Sequence, residues 1–189
     1  MATANGFDEL LSSMKRAAGA LRDSGIPFAL GGGLAVWARG GPRTEHDVDF
    51  FVKPEDAERA QTVLAGLGMR AERPPEGWLL KCYDGDILID LVFQPRGGPV
   101  DDKLLGRAEE LDVYAVTMPV AALEDVVVAK LLALNEQNLD YSTVLETARA
   151  VREQLDWDEV RRRTAESPYA KAFLTLVQEL GVATLPAPS

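Results

Sequence analysis

What is scarce in these 189 residues narrows the field before anything else does. The single cysteine, Cys82, excludes an internal disulfide framework and fits a reducing cytosol. It sits in an apolar strand context, LLKCY, where inert packing is the expected role rather than thiol chemistry. The single histidine, His46, rules out a zinc site built from several histidines. Positive charge is short as well: 20 Lys and Arg stand against 30 Asp and Glu, a formal net charge of −10. That balance argues against broad, nonspecific nucleic-acid binding, which needs a basic surface. The densest cationic cluster is Arg161-Arg162-Arg163, for which a solvated helix face is the default reading. No basic-then-apolar leader opens the chain. The longest apolar stretches, such as 120–134, are interrupted by Glu124, Asp125 and Lys130, so no membrane span is expected and a cytoplasmic location is. No Gly-x-x-x-x-Gly-Lys-Ser/Thr loop occurs, and Val36 stands where a dinucleotide fingerprint starting at Gly31 needs a small residue.

What is present is enough apolar content, 47%, for a real core, on a length that suits one domain or one domain with a small appendage. Phe7, Leu10, Leu11, Met14, Ala17, Ala18 and Leu21 follow the spacing of an amphipathic helix over 7–22, ended by Gly25 and Pro27. Strands are expected at 27–30, 47–52, 69–72, 78–83 and 86–93, with Asp84-Gly85 marking a hairpin between the last two. Short helices are expected at 34–39, 57–67 and 101–110, and an extended segment at 113–116. From Pro119 the pattern turns helical, over 120–134, 139–152, 157–165 and 169–180, with no strand after about residue 117. Asp156 with Glu159, and Ser167 before Pro168, read as helix N-termini, and the closing LPAPS as a frayed tail. The expected fold class is therefore α+β: a mixed sheet with flanking helices over 1–117, then a small helical bundle over 118–189.

The stretch Phe28–Val52 concentrates the unusual chemistry. An apolar run ends in Gly31-Gly32-Gly33, which would let the backbone approach a phosphate and aim helix N–H groups at it, although a tight strand-to-helix turn would look the same. Further on, Asp47 and Asp49 fall two apart on a strand and share a face. Two crowded carboxylates call for a positive charge between them, and Mg²⁺ is bound by carboxylates together with substrate phosphates. In DILIDLVF, Asp90 interrupts a run that looks buried on both sides, so it needs a partner or a metal. Beside Asp47 and Asp49 it would complete a set of three carboxylates able to hold Mg²⁺ or Mn²⁺ against the phosphates of a nucleotide.

A double glycine, a short helix, Asp-x-Asp on a strand and a third Asp on a later strand resemble the signature of the nucleotidyltransferase superfamily with a DNA-polymerase-β-like core. The likeness covers roughly residues 26–93, and the helical remainder is similar to the C-terminal part of small bacterial members, including the AbiEii/MenT-type toxins. Gly32-Gly33-Leu34-Ala35 and Arg43 match those relatives. Where they often carry Thr two positions before the first Asp, this chain has Glu45, with Thr44 one earlier. The resemblance implies an NTP-dependent enzyme that moves a nucleoside monophosphate to an acceptor hydroxyl. In it Asp47, Asp49 and Asp90 are catalytic and metal-binding, and Gly31, Gly32, Gly33, Arg43, Thr44, Lys130 and Asp140 face the nucleotide. For Lys130, within an apolar helix, snorkelling to solvent is an equal alternative, and for Asp140 so is helix capping. The first implied acceptor is a tRNA 3′ end, with a small molecule such as an antibiotic or a protein as the alternatives, and a toxin-like member would have an antitoxin partner. A module that binds nucleotide without turnover is the competing class, and its expected mark, a replaced carboxylate, is missing here.

Overall fold

The computed structural model describes residues 4–44 and 47–184; Glu45, His46 and the LPAPS tail lie outside them. Helix α1 (Ala4–Asp23) buries all seven residues of the expected apolar stripe, from Phe7 to Leu21. The chain then turns at Gly25 into β1 (Phe28–Leu30) and, through Gly31, into the short α2 (Gly32–Trp37). Strand β2 (Asp47–Val52) follows, and a 3₁₀ turn at Pro54–Asp56 leads into α3 (Ala57–Gly66). Next come β3 (Arg70–Glu72), β4 (Leu79–Asp84) and β5 (Ile87–Val92). Strands β4 and β5 form the anticipated hairpin, Asp84 opposite Ile87, around a Gly85-Asp86 loop in which Gly85 takes the positive φ of +62° that such a turn asks of its first residue.

The expected helix at 101–110 is shorter in the structure. Helix α4 (Asp102–Gly106) stops at its glycine, and residues 109–113 form β6 (Glu109–Val113) instead. The expected extended segment at 113–116 is the turn between β6 and β7 (Val116–Val120), made by Tyr114 and Ala115 at φ +49° and +63°. Neither residue type advertises a left-handed turn, so pairing of the flanking strands decides the conformation rather than local preference. Strand β7 also runs to Val120 rather than ending near 117. The helical remainder comprises α5 (Leu123–Ala133), α6 (Ser142–Val151), α7 (Trp157–Arg163) and α8 (Pro168–Glu179). As expected, Asp156 and Ser167 cap α7 and α8, accepting the backbone N–H of Glu159 and of Ala170.

The seven strands form one mixed sheet in the order β3-β4-β5-β2-β1-β7-β6, with α1 and α3 packed against it and α5 joining α2 to α6, α7 and α8. The pairing that matters most is parallel: β2 lies beside β5 with Asp49 in register with Asp90. On β2, Val48, Phe50 and Val52 are fully buried on one face, and Asp47, Asp49 and Phe51 line the other.

Candidate active site

Period-two alternation puts Asp47 and Asp49 on one face, and the β2–β5 register brings Asp90 alongside from a strand distant in sequence. Carboxylate oxygens of the three residues lie within 4.8 Å of one another. Asp90 is 7% exposed, and Asp47 and Asp49 are half-buried. Burial first, then repulsion from Asp47 and Asp90, pushes the Asp49 carboxyl up to about 7, while Lys130 and Lys81 pull it down. Burial likewise raises the Asp90 carboxyl, against the opposing pull of Lys81.

Lys81 is a member of this site that sequence reasoning missed. It faces Asp90 across the β4–β5 ladder, Nζ to Oδ1 at 3.4 Å. Counting outward from the Gly85-Asp86 turn would have set residue 81 opposite residue 90 and so found the pair. At that distance the contact is an ion pair rather than a good hydrogen bond, and the buried Oδ1 of Asp90 has no hydrogen-bond donor. A buried carboxylate oxygen without a donor, beside two more carboxylates, is an all-oxygen donor set of the kind hard divalent cations take, so the residues present fit Mg²⁺ or Mn²⁺. A further acid, Glu76, lies close enough to add its repulsion at Asp90.

The glycine turn is built against the acids. The Gly31 N–H donates to the Asp49 carbonyl at 2.8 Å, and the Gly31 carbonyl accepts the Ala35 N–H at 3.0 Å to start α2. Gly32 has φ +54°, and a Cβ there would stand 1.7 Å from Asp49 Oδ2, so conformation and space both demand glycine. A Cβ on Gly33 would meet the Thr44 side chain at 2.7 Å, which seats Thr44 on the same turn.

Of the remaining expected residues, Lys130 is half-buried on α5 and its charge acts on Asp49. Arg43 is exposed, with its guanidinium 4.9 Å over the ring of Phe7. Asp140 is exposed ahead of α6, where its side chain accepts the Ser142 N–H at 2.8 Å; those hydrogen bonds hold its carboxyl below the usual range. Neither Arg43 nor Asp140 is among the main charges that act on Asp49. Cys82 is fully buried, its thiol pushed up to about 11 by burial, as inert packing requires. The solvated reading of Arg161-Arg162-Arg163 needs correction. Arg161 pairs with Asp158 and Arg162 with Glu159, but Arg163 turns inward to the buried Asp125, Nη2 to Oδ1 at 2.7 Å.

A family described as uncharacterised nucleotidyltransferase matches residues 3–181. No curated protein sequence matches the chain. Among solved structures, the chain is similar to the antibiotic-resistance factor ANT(2″)-Ia in solution, at 15% identity over 90% of this chain and 96% of that one, with a TM-score of 0.63. It is also similar to the lincosamide antibiotic adenylyltransferase LnuA with lincomycin bound, at 14% identity over 76% and 97% and a TM-score of 0.54. A third likeness is to a nucleotidyltransferase structure from Thermotoga maritima, at 17% identity over 77% and 92% and a TM-score of 0.53. At these identities the structural likeness is one of fold, the α+β nucleotidyltransferase architecture. The chain belongs to the uncharacterised nucleotidyltransferase family, and it is an enzyme of that class.

Proposed function

We propose that this nucleotidyltransferase moves a nucleoside monophosphate from an NTP to the hydroxyl of a small-molecule acceptor, with Asp47, Asp49 and Asp90 as its catalytic centre. The observation that carries this reading is the convergence of three carboxylates with a glycine turn pressed onto one of them. Asp47, Asp49 and Asp90 would hold a divalent cation, which when bound supplies the positive charge that the triphosphate needs. Asp90, raised by burial, accepts the proton of the acceptor hydroxyl as its oxygen attacks the α-phosphorus and pyrophosphate leaves. Gly31, Gly32 and Gly33 let the backbone close on the phosphates; Lys130, Arg43 and Thr44 face the nucleotide, and Lys81 sets the charge state of Asp90. Asp140 is proposed as a cap of the α6 turn rather than as a nucleotide ligand. Phosphoryl transfer asks mainly for position and electrostatics, so this sparse set suffices. The proposed boundary between the catalytic part and the helical part, expected at 117–118, is better placed after β7, between Val120 and α5, because 117–118 falls inside that strand.

The small-molecule acceptor is favoured over a tRNA 3′ end by charge. The more accessible cations of the Arg161–Arg163 run, Arg161 and Arg162, pair with Asp158 and Glu159 on their own helix, and Glu76 adds negative charge beside Asp90. Such a surface accepts a neutral or cationic hydroxyl compound more readily than a polyanion. Similarity of fold to two proteins named for antibiotics supports the same choice. The test is label transfer from each α-labelled NTP with Mg²⁺, offered aminoglycosides and lincosamides, total tRNA, or no acceptor, with Asp49→Asn as control. Label on a small molecule, lost in the variant, is the expected result. Label on tRNA would restore the toxin-like reading and with it the search for an antitoxin, and label on the protein itself would point to a protein acceptor. Absence of Mg²⁺-dependent NTP binding would remove the proposal altogether.

A further inference from the structure

On the sheet face that carries the acids, Phe51 stands two residues beyond Asp49 and lines a cavity of about 260 Å³. Its other walls are the loop 95–99, α4, one side of α5 and Arg163 at the end of α7. Four basic side chains line it, Arg96, Lys103, Arg107 and Arg163, against two acids, Asp101 and Asp125. In a chain of net charge −10, such a local excess of positive charge runs against the average. Both acids are already engaged. Asp101 accepts the Leu104 N–H at 2.8 Å as the cap of α4. Asp125 accepts hydrogen bonds from Arg107 Nε at 3.0 Å and Nη2 at 2.7 Å and makes an ion pair with Arg163, Nη2 to Oδ1 at 2.7 Å.

One carboxylate therefore fixes two guanidiniums, neutralises one of their charges and takes only part of their donors. Arg96 and Lys103 make no ion pair among the described residues. Both are exposed and line the same cavity, so their charge adds to that of the two paired arginines. The loop that carries Arg96 reads Pro-Arg-Gly-Gly-Pro, with Gly97 and Gly98 at φ +111° and +131°; a Cβ on Gly97 would meet Leu132 of α5 at 2.9 Å. The glycines thus let the loop close against α5 and wall the cavity.

We propose that this cavity is a phosphate-binding site separate from the nucleotide centre, taking either free inorganic phosphate or the phosphate of a small phosphomonoester. Guanidinium forks match phosphate oxygens in pairs, and the Lys103 ammonium adds a point charge. The volume falls just below the roughly 300–1,000 Å³ of ordinary ligand pockets, which suits a phosphate, free or on a short organic group. The inference stands whether or not the acid cluster is catalytic.

The test is calorimetric titration of the full chain, in chelator so that no metal bridges phosphate to the acids, with inorganic phosphate and with glycerol 3-phosphate. Wild type and Asp49→Asn should bind saturably and alike. The double variant Arg96→Ala/Lys103→Ala, which removes exposed side chains outside the ion-paired core, should bind at least about tenfold more weakly while its circular-dichroism melt is unchanged. Tighter binding of glycerol 3-phosphate would assign the site to phosphomonoesters, and equal or tighter binding of inorganic phosphate to the free anion. No saturable binding in wild type at millimolar ligand, binding unchanged in the double variant, or binding lost in Asp49→Asn would each overturn the proposal.

Discussion

Two buried carboxylate centres on this fold are built on opposite principles. Asp125, with its side chain fully buried, receives two hydrogen bonds from Arg107 and an ion pair from Arg163, which tie α4 and α7 to α5. The half-buried Asp49 and the buried Asp90 are crowded among acids instead, with Lys81 and Lys130 as the opposing charges and with one Asp90 oxygen lacking any donor. A satisfied carboxylate holds the structure together. A crowded, under-satisfied one works against it and persists where an external cation and a substrate supply what the chain withholds.

The sharpest way to break this comparison is to neutralise one member of each centre. Asp90→Asn should lower nucleotidyl transfer by about 10²–10⁴-fold, the usual worth of a general base, and Asp49→Asn should be at least as damaging. Neither should destabilise the metal-free protein at pH 8, because each removes a charge whose burial and repulsion outweigh the pull of Lys81. Unfolding of these variants, measured in urea, would show that the acids are structural after all. Asp125→Ala should do the reverse, leaving two arginines facing a void and costing about 3–5 kcal/mol in urea unfolding. A loss under about 1 kcal/mol, the range of an exposed pair, would show that solvent carries those arginines and that the contrast between the two centres is false.

The comparison also marks what could be read from the sequence. Asp47 and Asp49 announce themselves, because alternation along one strand needs no tertiary information, and Asp90 stands out as a charge in an apolar run. That Asp90 pairs with Asp49 depends on the β2–β5 register, which no local signal encodes. Lys81 was legible through the hairpin count but not through its own neighbours. In the sequence Asp125 is only a charge interrupting an apolar stretch and Arg163 only a member of a solvated cationic cluster, since a buried ion pair between residues 38 positions apart leaves no periodic trace. The β6–β7 hairpin escaped for a related reason: Tyr114 and Ala115 hold left-handed conformations that glycine or asparagine would normally mark.

Lys81 links the two kinds of electrostatics, because it is the cation that the acid centre keeps for itself. Lys81→Met should let Asp90 and Asp49 rise further, since its charge is one of the forces pulling both down. The acidic limb of the pH–rate profile should then move to higher pH, and activity at fixed pH on that limb should fall about tenfold for each unit of the shift. Recovery of most of the rate at higher pH separates this role from structural damage, which alkali would not repair. An unshifted profile with a uniformly lower rate would mean that Lys81 positions strands rather than charges.

The smallest effect is the one that reads the strain directly. In the folded, metal-free protein the Asp49 carboxyl sits at about 7, well above the ordinary carboxylate range that it regains on unfolding. Between about pH 4 and pH 7 the folded state therefore holds a proton that the unfolded chain has released. Stability then falls as pH rises through that window, by up to about 1.4 kcal/mol per unit from this group, and levels off above it. A half-buried site open to water should realise only part of that slope. Urea unfolding in chelator at pH 5, 6, 7 and 8 should trace the decline, and Asp49→Asn should flatten it. Mg²⁺ should raise stability at pH 8 and hardly at pH 5, because the cation competes with the proton for the same oxygens. A profile that rises with pH, or one that runs parallel in Asp49→Asn, would mean that the three acids are at ease in the fold. The contrast with Asp125 would then have to rest on activity alone.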